Sequence, residues 1–195
     1  MYRQHIGVTL VEMVSVVAIL GILLSSALPA VDRFYERQRL IGATEMVYRQ
    51  LQLARSEAIS RSHDVYLQFN IDGSDRWSLG LSTESACNPE HGLQDELPCY
   101  LEIDDGDGVR TSADRVLQSI SSRDYPGVRI TSVTFGRDRA KFDYVRGTSK
   151  AGSVKLESAS GYRTKVVTSV LGRIRLCSPR GEGHVSNYPG TNCRW

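Results

Sequence analysis

The chain has 195 residues, 41% hydrophobic and 24% charged, a balance that excludes a disordered protein and leaves room for one folded domain plus an additional element. A formal net charge of +2 excludes a protein that is basic or acidic throughout, but the charge is unevenly spread. Asp72 to Asp124 carries twelve acids against four arginines and Arg137 to Trp195 twelve Lys and Arg against four acids, so the last third is able to attract an anionic partner.

At the amino terminus, no residue from Met13 to Val31 is charged, and MVSVVAILGILLSSALPAV is apolar enough for a membrane-spanning helix of about 20 residues. A secretory signal would set its apolar run ahead of a small-residue cleavage site, whereas here a short polar leader, MYRQHIG, comes first. Glu12 stands at the head of this helix, where an ionisable side chain is costly and calls for a partner. Gly-Val-Thr-Leu-Val-Glu before an apolar helix resembles the class III signal of type IV pilins and type II secretion pseudopilins. The resemblance implies that a prepilin peptidase cuts between Gly7 and Val8 and methylates the new terminus. Val8 is a departure, since the family more often starts its mature chain with Phe or Met. In a fibre of packed apolar helices a buried ammonium needs a carboxylate, and Glu12 of one subunit can supply it to Val8 of another, which sets the axial register.

Beyond Asp32 the apolar positions become periodic: Leu40, Ala43, Val47, Leu51, Ala54 and Ala58 step by three and four, one face of an amphipathic helix. A helix from about Val8 to Ser60 would span roughly 80 Å. The remainder alternates short β-prone runs with turn residues. Strands are expected at 65–69, 77–81, 128–135, 141–145, 153–158, 164–170 and 173–177, and their spacing favours antiparallel hairpins over parallel crossovers.

LQLARSEAISRSHDVYLQF at 51–69, succeeded much later by GSVKLES, TKVVTSV and GRIRLC, resembles minor pilins and pseudopilins of the FimT/GspH type. The similarity covers the anchor, the helix-to-strand junction and the last three strands, and is weak over 72–127. It implies an α+β pilin fold, a long amino-terminal helix packed on an antiparallel β-sheet head. The expected organisation is a leader at 1–7, a transmembrane and assembly helix at 8–31, its amphipathic continuation at 32–62, and a β-rich periplasmic head at 63–195. Other pilins, the prepilin peptidase and the bacterial inner membrane are the implied partners.

Four cysteines form two local pairs, Cys87 with Cys99 and Cys177 with Cys193. Three connectivities are possible, of which the local one is simplest because each intervening segment reads as a loop. No C-x-x-C spacing supports a metal, and disulfides point to an oxidising compartment. Asp104, Asp105, Asp107 and Asp114 lie among glycines in a way that can wrap calcium, yet no closing Glu completes an EF-hand and Asp and Gly are the ordinary turn residues. No metal or other cofactor is expected. His63, His91 and His184 are isolated, and nucleophile elbows and phosphate-binding glycine loops are missing, so no enzymatic activity is expected.

The basic third contains SVLGRIRLCSPR, in which Arg173 and Arg175 share one strand face. Lys and Arg that neutralise phosphates gain affinity by counterion release, and Arg163, Lys165, Arg180 and Arg194 widen the patch, with Tyr188 and Trp195 as possible stacking surfaces. Exposed strand positions are also often basic for solubility alone. FimT-type proteins of competent bacteria bind DNA through a carboxy-terminal G-R-x-R motif, matched by Gly172, Arg173, Ile174 and Arg175. That resemblance implies a minor pilin whose basic face holds double-stranded DNA non-specifically during uptake for transformation. The alternatives are a priming subunit of the pilus and a type II secretion pseudopilin.

Overall fold

A computed structural model of the chain describes residues 9–73, 75–103, 114–191 and 193, leaving aside the side chains of 26–30. Gly7, Val8, Asp104, Asp105, Asp107, Arg194 and Trp195 lie outside the described residues. Helix α1 covers Leu10–Arg61. Its start is capped by Thr9, whose hydroxyl accepts from the Glu12 amide at 3.3 Å. Glu12 falls in the first turn, where the helix dipole favours a carboxylate. The chain divides into two units, Met1–Tyr35 and Glu36–Trp195.

In the first unit every large apolar side chain from Leu10 to Leu24 is exposed, from 47% at Val16 to 80% at Leu10. A monomer gains nothing from such a surface, which calls for an apolar surround. Among the described residues no helix is long and apolar enough to cross a membrane.

In the second unit the expected helical face is the buried one: Leu40, Ala43, Val47, Leu51, Ala54 and Ala58 are wholly inaccessible. Each buried Leu or Val contributes on the order of 2 kcal/mol, so this stripe fastens the helix to the head. It meets two antiparallel sheets. The first contains β1 (Val65–Asp72), β2 (Arg76–Ser82), β5 (Ser119–Ser121) and β7 (Arg139–Phe142) in the order β5-β2-β1-β7. The second contains β6 (Val128–Val133), β8 (Gly152–Ser158), β9 (Arg163–Thr168) and β10 (Ile174–Cys177) in the order β10-β9-β8-β6. Leu67, Phe69, Leu79 and Leu81 from the first sheet and Ile130, Leu156, Val166 and Ile174 from the second share one core with α1. Phe69 stacks on Phe135, and the Trp77 indole donates to the Val128 carbonyl at 2.9 Å, tying the sheets together. Between helix and second sheet, the hydroxyls of Thr44 and Thr164 meet at 2.6 Å with both residues fully buried.

The helix is packed on an antiparallel β head as expected, with most of its strands divided between two four-stranded sheets. Residues 72–127 also contain strands that alternation did not reveal, β3 (Tyr100–Glu102), β4 (Arg115–Leu117) and β5, each of three residues and too short for a period of two to register. The run expected at 141–145 stops at Phe142, because the Asp143 carboxylate accepts from the Val145 and Arg146 amides and bends the chain into a turn. The Cys87–Cys99 disulfide closes a loop over the outer face of the first sheet. A Cβ on Gly80 of β2 would lie 2.6 Å from that of Cys99, so glycine makes room for the bridge.

Candidate nucleic-acid interface

Alternation along β10 sends Ile174 into the core, with 6% of its surface exposed, while Arg173 and Arg175 stay in solvent. Leu176, expected in the core beside Ile174, is only partly buried, since β10 is an edge strand. The register extends the basic row across the sheet. Arg175 pairs with Val167, Cys177 pairs with Lys165, and Lys165 pairs with Lys155 on β8. Neighbouring strands stand about 4.8 Å apart, so these cations crowd one outer face. Partial burial and then the adjacent Lys155 ammonium lower the pKa of Lys165.

Not every expected cation joins the row. Arg163 is engaged by Glu157, Nε to Oε1 at 3.3 Å, which offsets its charge locally. Arg180 is exposed in the loop closed by Cys177–Cys193, its stem against Gly190. Arg194 lies outside the described residues, as does Trp195. Tyr188 is no stacking platform: it is 8% exposed, its hydroxyl donates to the Ile41 carbonyl of α1 at 3.5 Å, and burial together with Glu45 raises its pKa to about 12. Asp114 of the acidic stretch is buried, its carbonyl accepting from the Ile103 amide at 2.7 Å. Among the described residues no cluster of three or more His, Cys, Asp or Glu is placed to hold a metal.

The arginines are held by a tight turn. The Ser169 amide donates to the Arg173 carbonyl at 2.9 Å, and the Arg173 amide donates to the Ser169 hydroxyl at 3.1 Å. Gly172 closes the turn at φ +73°, a conformation that an L side chain resists. Downstream of β10, the disulfide loop seals back on the helix. The Arg37 guanidinium donates to Ser186 Oγ at 2.5 Å and Asn187 Oδ1 at 2.8 Å. The Ser178 hydroxyl donates to the Arg163 carbonyl at 2.7 Å and accepts from the Val185 amide at 2.8 Å.

The model of the family described as "Type II transport protein GspH" matches residues 43–172, two thirds of the chain, from the buried stripe of α1 to the glycine of the turn. The chain belongs to the GspH family. It is a minor pilin or pseudopilin of the GspH/FimT type, a class that associates with other pilins in a filament. The match stops at Gly172, so Arg173 and Arg175 of this GspH-family protein come immediately beyond it. Among solved structures, the Pseudomonas aeruginosa (strain PAO1) type IV minor pilin FimU is similar in two crystal forms, at 18% identity and a TM-score of 0.45. The alignments cover 73% and 76% of this chain and 98% of that one. No curated protein sequence matches the chain.

Proposed function

We propose that this GspH-family protein is a minor pilin whose basic sheet face binds double-stranded DNA non-specifically during uptake for transformation. The observation that carries the reading is the exposed Arg173–Arg175 pair continuing through half-buried Lys165 to Lys155, a cationic row on a sheet face, with no groove-entering helix beside it among the described residues. Such a surface suits the phosphate backbone rather than base edges. Cleavage after Gly7 frees Val8, and the exposed Leu10–Leu24 segment is held in the inner membrane before assembly and among other pilin helices afterwards. There Glu12 pairs with the amino group of a neighbouring subunit. The head then faces the periplasm.

The test is a mobility shift of duplex DNA by the full chain in detergent micelles. Retardation should weaken steeply with added salt and vanish when Arg173 and Arg175 are both changed to Glu. No retardation at low salt would sink the DNA reading. A second reading, a pseudopilin of type II secretion, is favoured by the description of the matching family. Deletion of the gene separates them: loss of exoprotein release supports secretion, loss of twitching alone a priming role, and loss of transformation DNA uptake.

A further inference from the structure

Among the described residues, the four most exposed large apolar residues of the head are Leu171 at 77%, Val145 at 66%, Leu97 at 65% and Val170 at 63%. Three of them belong to one place. The Ser149 amide donates to the Val170 carbonyl at 3.1 Å, and the Gly147 carbonyl abuts Gly172, so the 143–149 and 169–172 turns lie side by side. Arg146 and Arg173 are exposed in the same two turns. Asp143, the acid of the same turn as Arg146, is folded onto its own backbone amides. This tip is therefore apolar with a basic rim.

The fourth residue, Leu97, belongs to a different surface of opposite sign. In the loop closed by Cys87–Cys99, the residues Glu90, Leu93, Asp95, Glu96 and Leu97 are all exposed. Leu97 sits at φ +54°, a left-handed conformation that costs a non-glycine residue about 1 kcal/mol. It is held there by the Asn88 amide donating to its carbonyl at 2.7 Å, while Gly92 and Asp95 bond to one another. A strained backbone that holds an apolar side chain in water between carboxylates is preorganised for an apolar, basic counterpart.

We infer that the Val145–Val170–Leu171 tip of one copy docks on the Glu90–Leu97 loop of a second copy. The two patches differ, so the contact is heterologous: each subunit retains an unused patch of each kind, and the association extends as an open series rather than closing as a dimer. Arg146 meets Asp95, Glu96 or Glu90 around the aliphatic centre, while Arg173 stays with the DNA-binding face; the charge contact sets orientation more than strength.

The experiment uses the full chain in detergent micelles with a photo-cross-linking benzoylphenylalanine at position 171. Unlabelled and nitrogen-15-labelled copies are mixed, irradiated and mapped by mass spectrometry. Cross-links should join labelled to unlabelled chains and map to residues 90–97. Cross-links confined within one chain, mapping elsewhere, or absent overturn the inference. So does capture of duplex DNA at position 171 with no second copy, which would assign the tip to nucleic acid. As a second measurement independent of the probe's effect on folding, Arg146→Glu and Glu96→Arg chains should each self-associate at least tenfold more weakly. A mixture of the two should recover most of the loss; failure to recover it also overturns the inference.

Discussion

The Gly147 carbonyl oxygen lies 2.0 Å from where a Cβ on Gly172 would stand. Gly172 is thus required by the contact between two turns as well as by its own φ of +73°, and no ligand need be invoked. The next residue benefits: the turn fixes where Arg173 leaves the β9–β10 hairpin.

Gly172→Ala is therefore expected to destabilise the head by about 3 kcal/mol, combining left-handed backbone cost with an overpacked contact. Chemical denaturation of the variant measures this. Arg173→Ala should leave the stability within about 0.5 kcal/mol of the parent, because that side chain is exposed. An equal loss in both would mean that the arginine is structural.

Lys165 is expected to act with opposite signs on stability and on the proposed DNA binding. Its pKa in the folded state lies below the ordinary value of 10.5, so between those two values the unfolded chain binds more protons and stability rises with pH. Lys165→Met should raise the melting temperature at neutral pH, with the advantage fading as pH approaches 10.5. The same change should weaken DNA retardation and reduce the salt slope by about 1. Weaker DNA binding with an unchanged salt slope would remove Lys165 from the interface.

Tyr188 works in the other direction. Its pKa is raised from 10.0 to about 12, so the stability it contributes is complete below pH 10 and is lost as pH rises through 12. Tyr188→Phe should flatten the alkaline fall in stability over that window. The ultraviolet difference titration, parent minus variant, should place this phenol near 12. Ionisation near the ordinary tyrosine value would mean that the disulfide loop does not stay closed on α1.

The Thr44–Thr164 hydroxyl pair lends itself to a double-mutant cycle. Thr44→Val leaves the Thr164 hydroxyl buried without this partner, at a cost of about 1–3 kcal/mol, whereas Thr164→Val should cost less, because the Thr44 hydroxyl still donates to the Leu40 carbonyl at 2.6 Å. The double Val variant should cost less than the sum of the two. Strict additivity would show that the hydroxyls act separately.

The buried stripe of α1 is readable residue by residue because a helix that packs on one side must place its apolar groups at steps of three and four, as Leu40 to Ala58 do. The hairpin strands are readable for the matching reason, a period of two between glycines. Lys155 is easily missed although the signal is there: counting outward from Ser160, at the centre of the β8–β9 hairpin, sets Lys155 opposite Lys165. Tyr188 misleads because a tyrosine in a Gly- and Pro-rich loop carries no periodicity, and only the return of that loop to Ile41 buries it. The strands between residues 72 and 127 escape notice for a related reason. They are organised by the Cys87–Cys99 bridge, by the pairing of β3 with β4 and by that of β5 with β2, not by their own side-chain pattern.

The disulfide loop that closes on Arg37 and Ile41 also decides how the subunit bears load. A cargo pulling on Arg175 loads β10 at the sheet's edge, two residues from a covalent bridge to Cys193. From that looped segment, tension passes to α1 through the Ser186, Asn187 and Tyr188 contacts, without first peeling β10 from β9. Within a filament of pilins, the basic face is thereby tied to α1 by a path that bypasses the β9–β10 pairing.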